Sequence, residues 1–148
     1  MTKPPPLWMT NDEQIAQWKR AFPDKKIRKR SPANALTEAV RDYATLKGCA
    51  TARVNTTGLW VEKEQKFLTT NATKGFEDID LTLPIVINGI RVGLKVAVEV
   101  KIGDDRQSKF QKLRQQRVQE AGGVYMIAKT FDQFKIDFDA VIKKYGST

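Results

Sequence analysis

Asn88-Gly89 is the feature that most limits what this chain can fold into. The dipeptide favours the two left-handed residues of a tight hairpin turn, and apolar runs flank it on both sides. Asp78 to Ile87 and Ile90 to Lys101 are therefore expected to be two antiparallel strands. Pro84 has no backbone N–H to give a ladder, so it is expected at a bulge or an edge position. The second strand holds Val96-Ala97-Val98-Glu99-Val100-Lys101, apolar enough to lie mid-sheet. Side chains alternate along a strand, so Glu99 and Lys101 leave the same face. Charges on an otherwise buried strand need partners, because unpaired ones are costly to desolvate. Asp78 lies ten residues before Asn88 and Glu99 ten after Gly89, so a hairpin brings both carboxylates to one end. Asp80 shares the strand face of Asp78 and competes with it as a ligand.

The other elements are read outward from that hairpin. Residues 1–10 carry three consecutive prolines and are expected to be an extended arm. A short helix is expected from Asn11 or Asp12 to Phe22, with Ile15, Trp18 and Phe22 on one stripe. Residues 25–30 form a basic linker, so residues 1–30 are expected to precede a domain spanning 31–148. Ser31 caps the next helix, Pro32 occupies its first turn, and Leu36, Val40 and Tyr43 line one face. Cys49 to Asn55 is expected to be a strand, and residues 59–74 either a second hairpin or a loop. Downstream, Asp104 or Asp105 is expected to cap a polar helix through Ala121. A short strand, Val124 to Ala128, and a final helix, Phe131 to Tyr145, complete an α/β chain. The expected core is a central mixed β-sheet flanked by helices in the order αβββαβ, with an extra N-terminal helix.

Composition decides which chemistry is open to such a core. There is no histidine, which removes histidine general bases, Ser-His-Asp triads and His-containing zinc sites together. The 26 Lys and Arg outnumber the 17 Asp and Glu, and a net charge of +9 points to a polyanionic partner, DNA first. Hydrolysis of a phosphodiester without histidine calls for a hard cation to polarise the phosphate and acidify a water. Asp78 and Glu99, with the Val100 carbonyl, suit Mg²⁺ or Mn²⁺, since magnesium is commonly held by one or two carboxylates plus waters and substrate oxygens. Lys101 would hold the attacking water or stabilise charge on the phosphorane. Arg53, Asn55, Lys74, Arg106, Ser108, Lys109 and Lys112 are candidate nucleic-acid contacts. Trp8 and Trp60 are candidates for stacking on bases, and Trp18 is assigned to packing. Cys49 is the single cysteine, so no internal disulfide forms and a reducing compartment is expected. No apolar run reaches membrane-spanning length, so a cytoplasmic location is expected.

Gly75-Phe76-Glu77-Asp78-Ile79, the hairpin and then Glu99-Val100-Lys101 resemble the core of the PD-(D/E)XK superfamily. Arg53-Val54-Asn55, Arg106-Gln107-Ser108 with Gln111, and Ala121-Gly122-Gly123-Val124-Tyr125 narrow the resemblance to the VRR-NUC family. The likeness runs from about Ala33 to Phe134. It implies a restriction-endonuclease-like fold and a metal-dependent DNA nuclease, structure-selective on branched DNA or Holliday junctions. It also implies a stand-alone domain of the kind common in phages, able to form a homodimer. By the same resemblance the Gly75 spacing favours Asp78 over Asp80, and Gln111 is a catalytic support that holds water or phosphate. Two positions depart from the pattern. Glu77 stands where the family has proline, and Ala33 or Asn34 where it often has a metal-supporting glutamate. Glu38 is the only glutamate on that helix and lies opposite its apolar stripe. A catalytically weak or inactive nucleic-acid-binding module of the same fold is the alternative reading.

Overall fold

A computed structural model describes residues 31–54, 59–68 and 74–146, together with the helical residues 16, 20 and 21. The expectations for the arm, for Ile15, Trp18 and Phe22, for the basic run 25–30 and for Asn55 lie outside the described residues. So do those for the side chains of Trp8 and Trp60. The backbone groups into two units, Met1–Arg30 and Ser31–Thr148, and the second holds the fold that follows.

Helix α1 (Pro32–Leu46) leads into β1 (Ala50–Arg53), the short strands β2 (Leu59–Val61) and β3 (Lys66–Leu68), and the long strands β4 (Ile79–Ile87) and β5 (Ile90–Val100). Helix α2 (Lys109–Glu120), β6 (Val124–Ala128) and helix α3 (Phe131–Tyr145) complete the chain. The start of α1 follows from its capping chemistry: Ser31 Oγ accepts the Asn34 N–H at 3.2 Å, and Pro32 fills the first turn, where its missing N–H costs nothing. The β4–β5 hairpin closes at Asn88 and Gly89, whose φ values of 51° and 79° are the pair a type I′ turn requires.

The sheet runs β1-β4-β5-β6, with β1/β4 and β4/β5 antiparallel and β5/β6 parallel. It is thus mixed, and β5 lies inside it, as its apolar run leads one to expect. Strand β1 pairs with Ile79 to Thr82 only, so Pro84 sits beyond the end of β1 on the outer side of β4. Its missing N–H therefore breaks no ladder there. Residues 59–68 resolve into a separate two-stranded hairpin, β2 with β3.

Alternation then sorts the side chains. Ile79, Leu81, Leu83 and Ile85 of β4 and Val96, Val98 and Val100 of β5 join Leu36, Val40 and Ala44 of α1 and Phe134 and Phe138 of α3 in the main core. On the other face Ala97 of β5 and Tyr125 of β6 pack with Val118 of α2. The sheet is therefore the middle of three layers, and Lys95, Glu99 and Lys101 share the Ala97 face by their spacing in β5. Among the described residues no helix is long and apolar enough to cross a membrane.

Helix α2 begins later than the sequence suggests. Asp104 and Asp105 lie in the loop before it, and Ser108 is the N-cap. Ser108 Oγ accepts the Gln111 N–H at 3.2 Å while Gln111 Oε1 accepts the Ser108 N–H at 2.8 Å. This reciprocal capping box satisfies two helix-end donors at once, which a lone aspartate upstream cannot do.

Candidate active site

Glu99 is the centre of the α2-facing side of the sheet. It is fully buried, and two donors hold one of its oxygens: Gln107 Nε2 and Tyr125 OH each lie 3.0 Å from Oε2. Oε1 is also buried and has no hydrogen-bond partner among the described residues. An anionic oxygen in that position is unfavourable unless something positive approaches it. Burial pushes the Glu99 carboxyl above the ordinary range; the bonds from Gln107 and Tyr125 and the charge of Lys101 pull the other way without cancelling it.

Lys101 follows two residues on and is likewise buried. Its Nζ donates to Gln111 Oε1 at 3.1 Å and lies 3.5 Å from Asp105 Oδ2. The Gln111 oxygen thus accepts from both the lysine and the helix cap, which locks the ammonium to the first turn of α2. Asp78 sits at the mouth of β4, one step beyond the Ile79–Val98 pair and hence across from Glu99. Its Oδ2 accepts the Val100 N–H at 2.8 Å, and its carbonyl accepts the Val54 N–H at 2.9 Å. Asp78, Glu99, Val100, Lys101 and Gln111 are all joined through these bonds to the C-terminal end of β5.

The loop that carries Asp78 is tied down by charge. Glu77 is fully buried, 2.5 Å from Lys95 Nζ and 2.9 Å from Arg114 Nε. Lys95 also reaches Asp80 at 2.6 Å, which occupies the competing carboxylate. The Phe76 ring lies under both cations, 4.3 Å from the Arg114 guanidinium carbon and 5.5 Å from Lys95 Nζ. Burial alone would raise the Glu77 carboxyl, but Arg114 and Lys95 outweigh it and hold it below the ordinary range. Gly75 is part of the same clamp. With φ at +74°, it presses on the backbone of α2, and an added Cβ would stand 2.6 Å from the Phe110 carbonyl oxygen and 2.7 Å from the Gln111 nitrogen. Gly75→Ala is expected to lower stability by about 2 kcal/mol, the scale of a strained left-handed residue, and to reduce activity by moving Asp78 away from Gln111. Urea unfolding and cleavage assays on the one variant check both effects.

The remaining candidates are spread over the molecule. Arg53 pairs opposite Ile79 in β1, so it leaves the α1 face; its guanidinium meets Asn34 Oδ1 and lies 3.9 Å from Glu38. Glu38, which the helix stripe suggests is solvent-facing, is half-buried against Arg53 and Arg41. Arg106, Lys109 and Lys112 are exposed around the start of α2, and Lys74 Nζ lies 5.2 Å over the Phe110 ring. The Ser108 hydroxyl serves the helix cap. Sequence reasoning missed Gln107, Tyr125 and the Glu77–Arg114 pair. Gln107, Tyr125 and Glu77 stand in the quoted motifs without a role, because the contacts of Tyr125 and Glu77 join residues 26 and 37 positions apart.

Among the described residues no three acidic or cysteine side chains gather tightly enough to ligate one ion by themselves. Two carboxylates, one with a bare buried oxygen, still match the donors a magnesium-type ion takes, since waters and substrate commonly complete its shell. The fold has a solved counterpart. A structure described as a VRR_NUC domain is similar to this chain over 78% of this chain and 99% of that one, with a TM-score of 0.51 and 16% identity. The likeness is one of fold: the mixed four-stranded sheet between helices in this chain is that of the restriction-endonuclease-like fold. No family model matches the sequence, and no curated protein matches it.

Proposed function

We propose that this chain is a metal-dependent DNA nuclease of the VRR-NUC family, within the PD-(D/E)XK superfamily. The observation that carries the reading is the bare Oε1 of buried Glu99, aligned along one strand with buried Lys101 and across the hairpin from Asp78. Asp78, Glu99 and the Val100 carbonyl would hold Mg²⁺ or Mn²⁺. When bound there, such an ion polarises the scissile phosphate and acidifies a water. Lys101, fixed by Gln111, donates a hydrogen bond to the attacking water or to a phosphate oxygen as charge builds. Gln107 and Tyr125 hold Oε2 so that Oε1 faces the ion. Arg106, Lys109 and Lys112 meet the phosphates on either side, with Asn55, Lys74 and Ser108 as further contacts, while Arg53, held by Asn34 and Glu38, is left to the α1 side. The domain spanning residues 31–148 offers little surface for a branched substrate, so the same reading has two copies meeting on one junction.

Purified protein is incubated with linear, nicked, flapped and four-way-junction DNA in Mg²⁺, in Mn²⁺, or in chelator. Cleavage is expected with either ion, strongest on the branched substrates, and none in chelator. Cleavage unaffected by chelator would defeat the metal assignment. The second reading, a nuclease-fold module that binds DNA without cutting it, draws on Asn34 and Ala33 at the helix position where the family often has a glutamate. Salt-dependent DNA binding with no cleavage in either ion would establish it instead.

A further inference from the structure

Helix α2 presents more than the active site uses. Phe110 and Leu113, one turn apart, are 45% and 44% exposed. Single exposed apolar residues are ordinary and would mean nothing alone. Three circumstances set Phe110 apart. It immediately precedes Gln111, whose Oε1 receives the Lys101 ammonium, and its backbone packs on Gly75, three residues before Asp78, so its place in the helix is beside the proposed chemistry. It carries a cation on its ring, Lys74 at 5.2 Å, and Arg106, Lys109 and Lys112 are exposed at the start of the same helix. Its backbone is immobilised twice, by the Ser108–Gln111 capping box and by Gly75 packed on its carbonyl. A rigid, half-exposed aromatic with a cation on its ring, at the edge of a phosphate-cleaving site, is built to receive a planar partner attached to phosphates.

We infer that Phe110 is a nucleobase-stacking residue that captures an unpaired base flanking the phosphate to be cut. A base within a duplex is stacked on both faces and cannot offer one to Phe110, so the ligand is an unpaired nucleotide. Stacking on one aromatic side chain tolerates any base, because every base has a π-face. The charges of Lys74, Lys109 and Lys112 supply the sequence-independent phosphate attraction that brings the strand there. This inference rests on the nuclease reading and adds to it the feature of the substrate that this helix selects.

The test uses the full chain in Ca²⁺, which allows binding to be read without turnover. Two DNA probes are compared: a blunt duplex, and the same duplex with a short single-stranded flap carrying 2-aminopurine. Wild-type protein is expected to bind the flapped probe more tightly and to quench its fluorescence. Phe110→Ala is expected to weaken that binding roughly 5- to 100-fold and to abolish the quench, while blunt-duplex affinity stays within about twofold. Phe110→Trp should keep both signals. Phe110→Leu should lose the quench, since it preserves apolar area without a ring. Equal losses on both probes, or an unchanged quench in Phe110→Ala, overturn the inference while leaving the nuclease reading standing. Wild-type protein that binds neither probe overturns both.

Discussion

Glu99→Gln should lose divalent-cation binding and cut DNA roughly a thousandfold more slowly, the cost of several kcal/mol of transition-state stabilisation. The substitution keeps shape and removes charge. Gln107 and Tyr125 surround Oε2 of Glu99, while Oε1 is buried without a partner among the described residues. A neutral amide relieves the unpaired anion, so the variant should be at least as stable as the wild type while failing at the chemistry. That opposition separates a functional carboxylate from a structural one: a structural glutamate would cost stability when replaced. Thermal unfolding, measured beside the cleavage rate, reads both halves. Lys101→Ala should also lose cleavage yet retain the ion, because its ammonium is bonded to Gln111 and lies near Asp105 rather than bonded to Asp78 or Glu99.

The second large effect is on folding. Glu77→Ala should destabilise the protein by about 3 kcal/mol, the lower end of the cost of removing one partner from a buried ion pair. The lower end applies because Lys95 and Arg114 keep 33% and 25% of their side chains exposed, and water can take over part of their charge. Lys95 also keeps Asp80 at 2.6 Å. In urea the midpoint should fall with little change in slope. The pH dependence has a definite sign. The Glu77 carboxyl is held below its ordinary value, so its contribution is present above the unfolded-state carboxyl range and disappears as pH falls through the folded-state value. The gap in stability between wild type and Glu77→Gln should therefore narrow in acid. Replacing Glu77, Lys95 and Arg114 together by apolar residues of similar size should recover much of the loss, since what is expensive is the uncompensated charge.

Local rules made the frame of this molecule readable. Asn88-Gly89 requires left-handed φ at both residues, and nothing else in the region competes with it, so the hairpin and its register were accessible from residues alone. Register carried the alternation, and alternation placed Glu99 and Lys101 on the face away from the main core. The start of α2 departs from the expected one because two aspartates upstream resemble caps while Ser108 is the N-cap. The reciprocal Ser108–Gln111 pair, which satisfies both ends of the same turn, was the better signal and was there to be read. Glu77 was undervalued for another reason. Next to a candidate ligand it reads as an idle substitution for proline, and only the fold reveals Arg114, 37 residues away, arriving from α2 to meet it. Tyr125 was equally out of reach, since its hydroxyl finds Glu99 only once β6 lies parallel to β5 with Ala97 opposite Tyr125. Long-range charge pairing and strand order are set by the whole chain, and the sequence near each residue does not encode them.

One measurement bears most directly on the proposed site: calorimetric titration of Mn²⁺ into wild-type protein and into Glu99→Gln. Binding by the wild type and none by the variant, with both proteins equally folded, is the expected result. Equal binding by the two, or none by the wild type in the presence of DNA, would contradict the assignment of Asp78 and Glu99 as the ion's carboxylates.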